Sequence, residues 1–148
     1  MKEKFYPFRA SEDYLNFYFE SCSSGCTIPK VVEFEEIEPG TYNLAFGDVS
    51  EKGELNDSVV SNNGDMQKVL ATVVQAVLTF LEIYPDRRVY FSGNSRARNR
   101  LYRALLSKDL ENWSEMFEID GVSKGELRSF VPNVDFDGFV IKSKNLDI

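Results

Sequence analysis

The chain contains no histidine. That removes the usual general base of serine and cysteine nucleophiles, a common zinc ligand, and the side chain that titrates near neutral pH. Cysteine is scarce, with only Cys22 and Cys26. Two thiols cannot fill zinc's four-ligand sphere, so no metal is expected from them. They read as small residues flanking a turn, with a functional thiol pair as the alternative, and as free thiols in a reducing compartment. Long apolar runs are missing as well. The nearest, Met66 to Tyr84, is interrupted by Lys68, Thr72, Gln75, Thr79 and Glu82, which argues against a membrane span. Met1-Lys2-Glu3-Lys4-Phe5-Tyr6-Pro7 lacks the apolar run and cleavage site of a signal peptide. These features lead us to expect a cytoplasmic protein with no membrane partner.

What is present fits one globular domain over residues 1–148, with 43% hydrophobic and 28% charged residues. Twelve Phe and seven Tyr suit a strand-rich core, where aromatic side chains fit a pleated, half-buried surface. The net charge is −7, which disfavours a binder of nucleic acid or membrane over the whole surface. The charge is unevenly spread, however. Arg87 to Lys108 holds seven basic residues and no acidic one, and the remainder holds 10 basic and 24 acidic.

Alternation places Leu15, Phe17 and Phe19 on one face of a strand over Tyr14–Cys22, followed by a turn at Ser23-Ser24-Gly25. A second strand runs from Ile28 to Ile37, with Pro29 confining its start to an edge. Pro39-Gly40 turns the chain into a third strand, Thr41–Val49, with Tyr42, Leu44 and Phe46 on one side. Glu51–Gly64 reads as polar and irregular. A helix is expected over Asp65–Tyr84, with the five polar interruptions on one stripe and Pro85 beyond its end. Arg88–Ser92 reads as a strand and Ser95–Lys108 as a helix capped by Ser95. Leu110, Trp113, Met116 and Phe117 suggest a short third helix or turn, and Phe117–Val122 and Phe136–Lys142 read as closing strands. The expected fold is α+β: an antiparallel sheet packed on a long central helix, with a second, Arg-rich helix after a short strand.

Several patterns invite a chemical reading. Gly93-Asn94-Ser95-Arg96-Ala97 approaches the nucleophile elbow of serine hydrolases, but Ala97 replaces the final glycine and no histidine exists to act as base, so Ser95 reads as a helix cap. The Asn/Asp set Asp48, Asn56, Asp57, Asn62, Asn63 and Asp65 lacks the spacing of a calcium loop. Glu33, Glu35, Glu36 and Glu38 read as a solvated edge that discourages strand pairing. The second helix is the strongest anomaly. Arg96, Arg100 and Arg103 share a narrow arc at i, i+4 and i+7, apart from an apolar face of Ala97, Leu101, Ala104 and Leu105. Cations at a helix start oppose its dipole by about 0.3–1 kcal/mol each. Free N–H groups, the positive end of the dipole and guanidinium forks suit a phosphate or carboxylate. The alternative is that these arginines pair with the chain's own carboxylates, Arg98 first among them.

Three stretches carry a resemblance: Tyr42-Asn43-Leu44-Ala45-Phe46-Gly47-Asp48; Asn62-Asn63-Gly64-Asp65 with Lys68-Val69-Leu70-Ala71-Thr72-Val73; and Phe91-Ser92-Gly93-Asn94-Ser95-Arg96-Ala97-Arg98-Asn99-Arg100-Leu101-Tyr102-Arg103. With Phe139-Val140-Ile141-Lys142, the sequence resembles a family of short bacterial proteins of unknown function. The resemblance implies a bacterial, cytosolic domain of about this length and brings no activity, cofactor or catalytic residue.

The expected function is a non-enzymatic binding module for an anionic ligand, either phosphate or nucleic acid. Its site is Ser92, Gly93, Asn94, Ser95, Arg96, Arg100 and Arg103, with no cofactor. Tyr14, Phe17, Tyr18 and Phe19 could stack on bases if their face is open, and otherwise belong to the core. The alternatives are a module binding an acidic protein or its own copies, with structural arginine pairs, and an enzyme that works without histidine.

Overall fold

The structure is a computed structural model that describes residues 4–23, 25–56, 64–92, 96–108, 115–132 and 134–144. In chain order the elements are β1 (Arg9–Ala10), β2 (Asn16–Ser23), β3 (Cys26–Glu38), β4 (Thr41–Val49), β5 (Leu55–Asn56), α1 (Met66–Ile83), β6 (Arg88–Phe91), α2 (Arg96–Lys108), β7 (Phe117–Ser123), β8 (Glu126–Ser129) and β9 (Gly138–Ser143). The nine strands form one sheet in the order β1-β2-β3-β4-β6-β9-β7-β8, with β5 paired to β4. The fold is α+β. All pairings are antiparallel except β4 with β6, which are parallel because the connection through α1 returns the chain in the same direction.

Strand register separates two faces. One presents Phe17, Phe19, Val32, Phe34, Tyr42, Leu44, Val89, Phe91, Phe139 and Ile141, all buried in a single cluster with ten α1 side chains and Tyr102, Leu105 and Leu106 of α2. Phe80 of α1 stacks on Phe34 at 4.2 Å and meets Tyr42 edge-on at 5.2 Å. The other face carries Tyr18, Glu33, Glu35, Asn43, Tyr90 and Lys142, half-buried or exposed.

The strand expectations need three corrections. β3 is interior rather than an edge: Glu33 pairs with Asn16 on one side and Ala45 on the other, and only beyond it, at Glu35, is β4 the sole partner. Pro29 is tolerated because it pairs only with Glu20, and the β4 ladder begins one residue later at Lys30. Strands β1, β5 and β8 are too short or too polar to show a period in the sequence. On α1, Thr72 belongs to the polar stripe yet is fully buried. Residues 4–8 cross that stripe, and the Tyr6 N–H donates to Thr72 Oγ1 at 2.9 Å.

By length and composition α1 could cross a bilayer, with a mean hydropathy of 1.4, contrary to the expectation that its polar residues exclude a span. However, 61% of that window is buried within the protein, as for a core helix.

Two polar clusters interrupt the apolar side, one buried and one half-buried. Lys30, 1% exposed, donates to Asp48 Oδ1 at 2.7 Å across the β3–β4 ladder. Asp65 sits at the N-terminus of α1 but does not cap it. Its Oδ2 accepts from Ser21 Oγ at 2.5 Å and from the Tyr6 hydroxyl.

Gly121 illustrates how closely the far end of the sheet is packed. A Cβ there would lie 2.2 Å from Phe136 Cδ1, because the buried Phe136 ring lies against this backbone. Gly121→Ala is therefore expected to lower stability by about 1–3 kcal/mol, read as an earlier urea midpoint. An unchanged midpoint would contradict the packing described.

Candidate anion-binding site on α2

α2 follows β6 after a short connection. Tyr102, Leu105 and Leu106 anchor it, with the Tyr102 ring edge-on to Phe91 at 4.9 Å. This buried face is rotated from the expected one. Ala97 and Ala104 are exposed and Leu101 is half-buried, since alanine removes little apolar area from water and the large Tyr102 ring decides the orientation. At 3.6 residues per turn, Arg96, Arg100 and Arg103 span an arc of about 60°, beginning about 60° from Leu106 at Arg103 and turning away from the Tyr102–Leu106 face toward Arg96 and Arg100. Burial of that face therefore turns Arg96 and Arg100 outward and leaves Arg103 at its margin.

Arg96 and Arg100 are exposed, and among the described residues neither makes an ion pair. Arg103 is partly covered and donates from Nη1 to Asp135 Oδ1 at 2.5 Å, an aspartate whose side chain is 69% exposed. Beside it, Asn99 Nδ2 donates to the Asp137 carbonyl at 3.1 Å. Thus the segment before β9 holds one flank of α2. An exposed pair of this kind contributes about 0–1 kcal/mol, so the Arg103 guanidinium can exchange Asp135 for another anion at little cost. Arg98 points toward the protein, with its guanidinium 5.9 Å from the Phe46 ring centre. Ser92 is half-buried. Gly93, Asn94 and Ser95, and with them the turn and the expected Ser95 cap, lie outside the described residues, as do Asp57, Asn62 and Asn63.

Two residues that matter here were missed in the sequence. Asp135 is 32 positions from Arg103, and no local pattern could join them. Tyr102 entered the sequence reading only as part of the Arg-rich stretch, yet it is fully buried and, among the described residues, its hydroxyl has no hydrogen-bond partner. Burial raises its pKa, against a smaller lowering by the Arg98 charge.

The thiols give no second site. Cys22 pairs with Thr27 and Cys26 with Ser23, which puts the two exposed sulfhydryls, neither in a disulfide, on opposite faces of the hairpin. Among the described residues no group of three or more Cys, Asp or Glu is placed to hold a metal. Asp48 and Asp65 are engaged by Lys30, Ser21 and Tyr6. Phe17 and Phe19 are core, and Tyr14 and Tyr18 are half-buried.

Fold and surface together define an α+β domain that displays arginines on a helix held by its Tyr102, Leu105 and Leu106 side chains. The chain belongs to DUF6934, a family of unknown function, whose model matches residues 2–144. No curated protein and no solved structure matches it.

A buried phenol without a partner costs about 1–3 kcal/mol. Tyr102→Phe is therefore expected to keep or raise stability at neutral pH. Tyr6, through burial and then its bond to Asp65, and Tyr102 both hold their protons above the ordinary 10.0. The unfolded chain then ionises first, and stability present below pH 10 is lost as pH rises beyond it. Urea midpoints from pH 8 to 11 should fall, less steeply in Tyr102→Phe. A marked loss of stability in that variant at pH 7 would contradict the absence of a partner.

Proposed function

We propose that the protein is a non-enzymatic binding module of the cytoplasm that recognises an anionic ligand, phosphate or nucleic acid, through the start of α2. In this reading α1 is the long central helix on which the sheet rests, and α2 is the presenting element. One observation carries the proposal: Arg96 and Arg100 remain exposed and without an ion pair among the described residues, in a chain with 24 carboxylates. No acidic residue occupies the first turn of α2, so its dipole and its guanidinium groups favour the same sign of ligand. Arg103 is the third contact, released from Asp135 when a ligand arrives. Ser92 and the Gly93-Asn94-Ser95 turn complete the proposed site as backbone donors.

A second reading is binding to an acidic protein or to a second copy of this chain. It is favoured by β8, which stands at the sheet edge with every residue exposed, including Leu127 at 56%, and pairs with β7 on one side only among the described residues.

Fluorescence anisotropy of labelled single- and double-stranded oligonucleotides across a salt series tests the first reading, with pyrophosphate as competitor. Two or three phosphate contacts predict a slope of log K against log salt of about −2 to −3 for duplex. Binding should vanish in Arg96→Ala/Arg100→Ala/Arg103→Ala while its circular dichroism is unchanged. Absence of oligonucleotide and pyrophosphate binding at low salt would contradict it, and self-association by light scattering would then favour the second.

A further inference from the structure

Far from α2 in the strand order, a cavity of about 820 Å³ opens beside β1 and β2. That volume is within the range of small-molecule sites, about 300–1,000 Å³. Its walls include Tyr18, Pro29 and Val49, and its charged lining residues are Arg9, Glu20 and Lys30, of which Lys30 is already neutralised by Asp48.

The charges decide what would fit. Arg9 pairs with Tyr18 across the β1–β2 ladder and holds its guanidinium 5.4 Å from the Tyr18 ring centre. Glu20 lies two residues beyond Tyr18 on the same face, which makes it the diagonal neighbour of Arg9, about 7–8 Å away. Their charges are opposite and both side chains are exposed, yet they form no ion pair with each other, and neither has an ion pair among the described residues. A ligand with one charge would satisfy one group and leave the other facing it unpaired. A ligand with both charges on one small centre would satisfy both and turn any apolar substituent toward the aromatic and proline walls.

We propose that this cavity binds a small zwitterion with an apolar side chain, an α-amino acid in chemistry. Its carboxylate meets Arg9, its ammonium meets Glu20, and its side chain lies along Tyr18, Pro29 and Val49. Nothing in this assignment depends on the arginines of α2.

Amide NMR titration of the full chain with L-phenylalanine, phenylacetate and phenethylamine tests it. L-phenylalanine should give saturable shifts at residues of β1 and β2, and the two singly charged analogues should bind about tenfold or more weakly. Arg9→Gln should abolish the advantage over phenethylamine, and Glu20→Gln the advantage over phenylacetate. Both positions are exposed, and if either variant failed to fold, the analogue series on the unsubstituted protein would decide alone. Equal binding of all three compounds, or no saturable shift up to about 10 mM, would overturn the proposal. So would loss of L-phenylalanine binding in Arg96→Ala/Arg100→Ala, which leaves this cavity intact.

Discussion

Phe80 of α1 lying flat on Phe34 of β3 marks the constraint on which the rest of the molecule depends. α1 buries eleven of its side chains, and all but Thr72 share one cluster with the apolar face of the sheet. A helix apolar over so much of its circumference must be covered on several sides. The sheet supplies one wall, α2 another, and the segment around Tyr6 closes over Thr72. Because α1 joins β4 to β6, it makes them parallel neighbours and delivers the chain to the start of α2. The remaining apolar space is filled by Tyr102, Leu105 and Leu106, and Arg96 and Arg100 face outward as the geometric remainder of that burial, with Arg103 at its margin.

The buried polar groups mark where the apolar pattern gives way. Lys30 and Asp48 are paired across the ladder on the side that otherwise holds Phe17, Phe34 and Leu44. Such a pair repays most of its own desolvation rather than adding stability, and removal of one partner is costly. Ser21, Asp65 and Tyr6 lie toward the same end of the sheet, where the N-terminal segment is joined to both β2 and the first turn of α1. Asp65 gives up capping for this role, so the helix start is held by long-range hydrogen bonds instead of a local one.

Much of this was legible in the sequence, for identifiable reasons. β4 was read at its observed ends because Pro39-Gly40 closes a turn in which Gly40 takes a φ of +79°, and because Tyr42 and Leu44 alternate cleanly. α1 was read to within a residue because its apolar period is long and Pro85 stops it. The interior position of β3 was hidden, since acidic residues on the open face of an interior strand look the same as acidic residues at an edge. The burial of Thr72 was hidden because its cover comes from residue 6, sixty-six positions away. On α2 the arc of the arginines follows from spacing alone, whereas the true buried face depends on how Tyr102 meets Phe91 and Phe139. The pairing of Arg103 with Asp135 has no local signature at all.

The central functional claim is that the outward guanidinium groups of α2 are held ready for an anion. Its most direct measurement is NMR of the arginine Nε–Hε groups during titration with pyrophosphate. The account predicts saturable shifts of Arg96 and Arg100, with Arg103 moving as Asp135 is displaced and Arg87, stacked 3.6 Å over Tyr84, staying in place. If none of the three moves, or if all the arginines drift together without saturation, the claim is contradicted and the stripe is a solvated helix face.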